Sequence, residues 1–164
     1  MMDLPQLKKQ LERDEGRLPR MYYDPVGKRS IGVGRNLDDV GLRPDERAML
    51  LKASPNRDLH YDRLVLSNDE IVYLLNNDIA AAHAELRKYL PWFDQLDDAR
   101  QNVLINMSFN MGWPRLSKFQ MTLRFVSQGA YALAANAMLQ SKWATQVGDR
   151  ADRLARQMKT GEFK

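Results

Sequence analysis

The sequence contains no cysteine, which excludes a disulfide framework, a zinc-cysteine site and a thiol nucleophile, and leaves the redox compartment open. No apolar run approaches ~18 residues, so no segment reads as a membrane span. The first ten residues, MMDLPQLKKQ, hold no apolar core, so neither a secretory leader nor a signal anchor is expected. Histidine is scarce: His60 and His83 are the only two, and neither falls in H-E-x-x-H. There is no G-x-x-x-x-G-K-[ST] phosphate loop and no G-x-S-x-G nucleophile elbow. Gly32-Val33-Gly34 lacks the third glycine of a dinucleotide fingerprint, because Leu37 stands there.

What is present describes a globular chain: 164 residues, 44% hydrophobic and 28% charged, with a mean hydropathy of -0.55. The net charge of +4 is unevenly placed. Residues 1–109 hold 16 Lys/Arg against 18 Asp/Glu, whereas residues 110–164 hold 9 against 3, a net of +6. A basic C-terminal part suits a polyanionic partner, and reads equally well as a solvated helical face. Leu4, Leu7 and Leu11 mark a short amphipathic helix over about 5–15, ended by Gly16. From Leu18 to Asn36, turn signals between Met-Tyr-Tyr and a β-branched, Gly-interrupted stretch predict a β-hairpin within a small sheet. A short helix is expected over 43–52, a surface loop over 53–66 and a long helix over 67–88 opened by Ser67-Asn68-Asp69-Glu70. After Pro91 the pattern is helical. Asp97 caps a helix that stops at Gly112, Trp113-Pro114 opens the next turn, and further helices are expected at about 115–127, 130–141 and 149–159.

Carboxylates remain as candidate acids and bases. Glu15 closes the first helix, and Asp24 follows nine positions on, in the hairpin turn. Nine extended residues would span about 30 Å, but the chain must reverse near Leu18-Pro19, which lets the two carboxyls face each other. Glycoside hydrolysis needs such a pair, an acid for the leaving oxygen and a carboxylate to activate water or attack the sugar. Ser30, on the following strand, places a hydroxyl where it can share a water with Asp24. Each residue also has an ordinary reading, as a solvated helix end, a turn former and a strand filler. Spacing alone leaves both open.

Glu15-Gly16, Tyr22-Tyr23-Asp24, Gly27 and Ser30-Ile31-Gly32-Val33-Gly34 follow a known order: Glu, eight residues, Asp, five residues, Thr, then Ile-Gly-Ile-Gly-His. On these residues the chain resembles the phage-type lysozymes, the endolysins of glycoside hydrolase family 24. The likeness continues through Asn76-Asn77-Asp78, the run from Asn106 to Gly112, Phe119, Leu123-Arg124, Ser141-Lys142-Trp143, Arg150-Ala151 and Thr160-Gly161, and is poor over 38–66. It implies an α+β, predominantly α, lysozyme-like fold of two lobes in one 1–164 domain. The lobes would be a β-rich lobe at 16–66, a connecting helix at 67–88, and a helical lobe of 1–15 plus 89–164.

The same resemblance implies a muramidase cutting the β-1,4 bond between N-acetylmuramic acid and N-acetylglucosamine, with inversion and without metal or cofactor. Glu15 would be the general acid, Asp24 would orient the attacking water, and Ser30 would share it in place of the family's Thr. Asn36, Phe109 and Thr122 fall at saccharide-cleft positions; a further one, usually Asn, falls on Ala137, beside Asn136. Arg35 replaces the family's His opposite Asp78, a pair expected to brace the lobes, and Arg150 matches an arginine that pairs with the catalytic Glu. Met107 and Met111 read as helix core. The expected partner is bacterial peptidoglycan, not nucleic acid, and the expected state is a monomer. It would be held in the host cytoplasm until release to the wall, or carried in the virion. A glycanase acting on chitin-like polymers, or a non-enzymatic binder of polyanions or wall resting on the basic C-terminal part, are the competing readings.

Overall fold

A computed structural model describes residues 2–163; Met1 and Lys164, which the expected 1–164 domain includes, lie outside the described residues. The fold is α+β and predominantly helical, as expected, with one three-stranded antiparallel sheet near the N-terminus. The chain divides into two compact units, one running from Lys8 to Ala80 and the other taking in the chain before and after it.

The Lys8–Ala80 unit begins inside helix α1 (Leu4–Glu15), whose Leu7 and Leu11 are fully buried one turn apart. Strands β1 (Leu18–Tyr23), β2 (Arg29–Gly32) and β3 (Arg35–Asn36) pair in sequence order. The β1-β2 turn closes through Asp24 N–H donating to the Lys28 carbonyl at 2.8 Å, with Gly27 taking the positive φ of +85° that the reversal needs. The β1-β2 register slips between Leu18 and Tyr22, a bulge. Pro19 and Arg20 on that stretch meet the 65–66 segment, through an Arg20-Val65 bridge and a Leu66 N–H to Pro19 carbonyl bond of 2.9 Å. Helix α2 (Pro44–Ala53) and the first half of α3 (Asn68–Tyr89) complete the unit. A reciprocal cap starts α3: Glu70 N–H donates to the Ser67 hydroxyl at 3.2 Å, and Ser67 N–H to Glu70 Oε1 at 2.8 Å.

The other unit is built on α4 (Asp98–Met111), which follows a 3-10 turn at Phe93–Gln95. Asp97 caps α4 by accepting from Arg100 N–H at 2.9 Å, and residues 101–108 are buried on every face, as a central helix requires. Met107 is fully buried and Met111 half-buried. Around α4 come α5 (Trp113–Leu116), α6 (Gln120–Ser127), α7 (Tyr131–Leu139), α8 (Lys142–Val147) and α9 (Asp149–Thr160). Two expectations are corrected here. The helix expected over 115–127 is broken at Ser117–Phe119, where Phe119 leaves helical geometry and sets its ring edge-on to Trp143, 6.1 Å between centroids. The stretch 142–147, to which the sequence reading assigned no helix, forms α8 behind a Ser141 cap that accepts from Ala144 N–H at 3.2 Å.

Candidate active site

The strand register places three polar side chains on one face of the sheet. Tyr22 is paired with Ser30 across β1-β2, and Ser30 with Asn36 across β2-β3, so Tyr22, Ser30 and Asn36 form a cross-strand row. Ile31 and Arg35 are paired on the opposite, buried face. Asp24 follows directly after β1. Its Oδ1 accepts from Val26 N–H at 3.0 Å and Lys28 N–H at 2.8 Å, which fixes the carboxylate plane and leaves Oδ2 for other work.

Glu15, at the C-terminal end of α1, is half-buried against the β2-β3 turn. Gly34, at φ +67°, makes this approach possible: a Cβ there would stand 3.0 Å from Glu15 Oε2 and 3.1 Å from its Cβ and Cγ. Burial first, then the Glu15 carboxylate, push the Tyr22 phenol above its usual 10, with Asp24 adding and the Gly34 N–H opposing. Glu15, Asp24, Ser30 and Tyr22 thus belong to one unit and are held by α1 and two strands. Tyr22 was not singled out as a site residue from sequence, although it stands in the quoted motif.

Arg35 and Asp78 meet, with Arg35 Nε donating to Oδ1 and Oδ2 of Asp78 at 3.1 and 3.0 Å. The expectation that this pair braces two lobes is corrected, because both residues lie within the Lys8–Ala80 unit, where they tie β3 to α3. The stronger partner is Glu46 on α2, which takes Arg35 Nη1 and Nη2 at 2.6 and 2.7 Å in a fork. The Gly41 and Leu74 carbonyls accept from the same nitrogens at 3.1 and 3.3 Å, so all five guanidinium N–H groups are satisfied. Burial would push the Glu46 carboxyl up; hydrogen bonds from Arg35, Arg43 N–H and Asn77 outweigh it and hold it at about 2. Glu46 had no sequence signal beyond an acid in a first helical turn.

Asn36 is engaged locally. Its Oδ1 accepts from the N–H groups of Asp38 and Asp39 at 2.9 and 2.8 Å, and its Nδ2 donates to Asp39 Oδ2 at 2.9 Å, an arrangement that builds the turn after β3. In the other unit, Phe109 on α4 is half-buried and Thr122 on α6 is buried. Ala137 is half-buried on α7 and Asn136 exposed beside it. Arg150 is only 7% exposed, and its Nε and Nη2 donate to Asn106 Oδ1 at 3.0 and 2.8 Å. Asn106, fully buried, is a second residue that sequence reading quoted without giving it a role. No group of three or more His, Cys, Asp or Glu suited to a metal ion occurs among the described residues.

The family model described as Phage lysozyme matches residues 12–160. The chain is similar to Probable T4-type lysozyme 2 of Dictyostelium discoideum, 28% identical over 166 residues and covering 96% of each protein. Probable T4-type lysozyme 1 of the same organism is 27% identical, with 94% of each covered. The pre-baseplate central spike protein Gp5 of Enterobacteria phage T4 is 26% identical over 93% of this chain and 27% of its own length. A family match over nearly the whole chain, on an α+β fold that is predominantly helical, means that the chain belongs to the phage lysozyme family and is a glycoside hydrolase of the lysozyme type.

Proposed function

We propose that the protein hydrolyses the β-1,4 bond between N-acetylmuramic acid and N-acetylglucosamine in bacterial peptidoglycan, with inversion at the anomeric carbon. The observation that carries this reading is the anchoring of Asp24, whose Oδ1 is tied to two backbone N–H groups beside the strand that bears Ser30. A carboxylate held in this way presents its second oxygen in a constant direction, which is what orienting a water requires. Glu15, set against Gly34 on the same sheet, donates its proton to the departing sugar oxygen while Asp24 and the Ser30 hydroxyl steer the water to the anomeric carbon. The setting inferred with it is phage-mediated lysis or wall penetration, supported by the likeness to a phage spike protein.

Purified sacculi test the reading. Cleavage is expected to release N-acetylmuramic acid reducing ends, first seen as the α-anomer, and chitin oligomers are expected to be poor substrates. Glu15→Gln should fold normally and lose at least about 10²-fold in turnover. A β-anomer would replace inversion by retention, and N-acetylglucosamine reducing ends would move the cut to the other bond. A folded Glu15→Gln protein with wild-type turnover would remove Glu15 as the acid.

A further inference from the structure

Helix α3 ends on Lys88 and Tyr89, and α5 begins on Trp113, directly after Gly112 has turned the chain at φ +77°. The two aromatic rings lie parallel, with 3° between planes and 5.0 Å between centroids, and the Lys88 ammonium stands 5.2 Å from the centroid of the Tyr89 ring. This cluster lies in the unit that holds neither Glu15 nor Asp24, and the hydrolysis proposed above gives it no task. It is not core: Tyr89 is 47% exposed, Lys88 is exposed and Trp113 is half-buried. Among the described residues, the Trp113 indole N–H, the Tyr89 hydroxyl and the Lys88 ammonium have no hydrogen-bond or ion-pair partner, and none of the three is sealed from water. The neighbouring cation Arg87, by contrast, is engaged by Asp94 at 2.8 Å. Aliphatic side chains could join α3 to α5 equally well. A flat aromatic surface edged by open polar groups is what the face and rim of a sugar ring require.

We propose that Tyr89, Trp113 and Lys88 form a non-catalytic binding site for a glycan strand of peptidoglycan. The inference rests on peptidoglycan being the polymer that is cut. A pyranose ring offers an apolar face of C–H groups that packs on aromatic carbon, while its hydroxyl and acetamido groups lie at the rim, where an indole N–H and a phenol can meet them. Lys88 supplies the charge complement, because N-acetylmuramic acid carries either a lactyl carboxylate or a peptide with carboxylates on it, and chitin carries neither. The rings already hold each other in place, so little side-chain freedom is lost when the sugar binds. An enzyme retained in this way stays on an insoluble polymer between cuts, which lowers KM for sacculi and leaves turnover of short fragments alone.

The test compares wild type with Tyr89→Leu, which keeps apolar bulk and loses the flat face, Tyr89→Phe, which keeps the face, and Lys88→Gln, an exposed change that breaks no ion pair. Binding is read by co-sedimentation with sacculi during a brief incubation on ice, and turnover on sacculi and on short soluble peptidoglycan fragments. Tyr89→Leu and Lys88→Gln are each expected to weaken sedimentation and raise KM on sacculi roughly three- to tenfold, the scale of one aromatic or cation–π contact. Turnover of short fragments should be unchanged in both, the melting temperature of Lys88→Gln should match wild type, and Tyr89→Phe should bind nearly as wild type does. Absence of sedimentation by wild type, or wild-type sedimentation by both Tyr89→Leu and Lys88→Gln, would overturn the inference. So would equal losses on sacculi and on short fragments, or binding that vanishes once phosphate-bearing polymers are stripped from the sacculi. A wild type that sediments but releases no reducing ends would sink the function proposed above, while the sedimentation of the variants would still decide whether this site holds the glycan.

Discussion

Arg35 uses every N–H of its guanidinium within the Lys8–Ala80 unit, and the carboxylate that matters most to it is Glu46, fully buried, rather than the part-exposed Asp78. Removing Asp78 leaves Arg35 with its fork to Glu46, while removing Glu46 leaves the buried cation with the part-exposed Asp78 and two neutral carbonyls, and one N–H on each of Nη1 and Nη2 without an acceptor. Asp78→Ala is therefore expected to cost clearly less stability than Glu46→Ala, for which breaking a buried pair sets the scale at about 3–5 kcal/mol. The pH dependence has a defined sign. Glu46 sits at about 2 in the folded protein against the ordinary 4.5 of a free glutamate, so the folded state binds its proton less readily. The stability this confers, about 3 kcal/mol as an order of magnitude, is present in full above about pH 4.5 and is lost as pH falls toward 2. Urea unfolding between pH 7 and 2 should show that fall in wild type, and Glu46→Gln should lack that component of the slope. Identical slopes would mean that Glu46 does not titrate as its partners require.

At the level of elements, the junction of α1 with the β2-β3 turn depends on Gly34. Gly34→Ala must place an L-residue at φ +67° and push against Glu15. The backbone cost is about 1–2 kcal/mol, and Gly129→Ala, at φ +72° with open space around it, should suffer the same cost alone. A melting temperature no higher than that of Gly129→Ala, with activity lost only in Gly34→Ala, is the expected result; equal activities would show that Glu15 does not need this contact. Much at this scale was legible. The leucine spacing of α1, the Asp-Pro and Val-Gly signals of the hairpin, and the Ser67/Glu70 and Asp97 caps act locally, so they can be read without knowing the fold. Glu15 and Asp24 stood out for the same reason, as carboxylates at element ends, and the family motif then tied them to Ser30. What stayed hidden depends on distant contacts. Phe119 breaks a helical pattern because of Trp143, α8 is only six residues long, and Glu46 reads as surface until α2 and β3 are packed.

Over the whole molecule, the basic excess of residues 110–164 is smaller at the surface than the sequence suggests. Arg150 is buried on Asn106, and Arg153 is paired with Asp149 at 2.7 Å, which leaves Arg115, Lys118, Arg124, Lys142, Arg156 and Lys159 as the exposed cations among the described residues of this stretch. If these six gather the enzyme onto an anionic wall, added salt should slow cleavage of whole sacculi and leave short soluble fragments nearly unaffected. Parallel loss on both substrates would place the salt effect in the active site instead. The division into units has a consequence of another kind. The Lys8–Ala80 unit is one uninterrupted stretch, whereas the other joins residues ahead of Lys8 to everything from Ala81 onward, with the Asn102 side chain donating to the Asp3 carbonyl at 3.0 Å. During synthesis the uninterrupted unit is complete while most of its neighbour is still unmade, and Asp3 must wait 99 positions for the Asn102 side chain that receives it. The ribosome therefore delivers the two carboxylates and Ser30 well before Asn102, the residue whose side chain holds the Asp3 carbonyl.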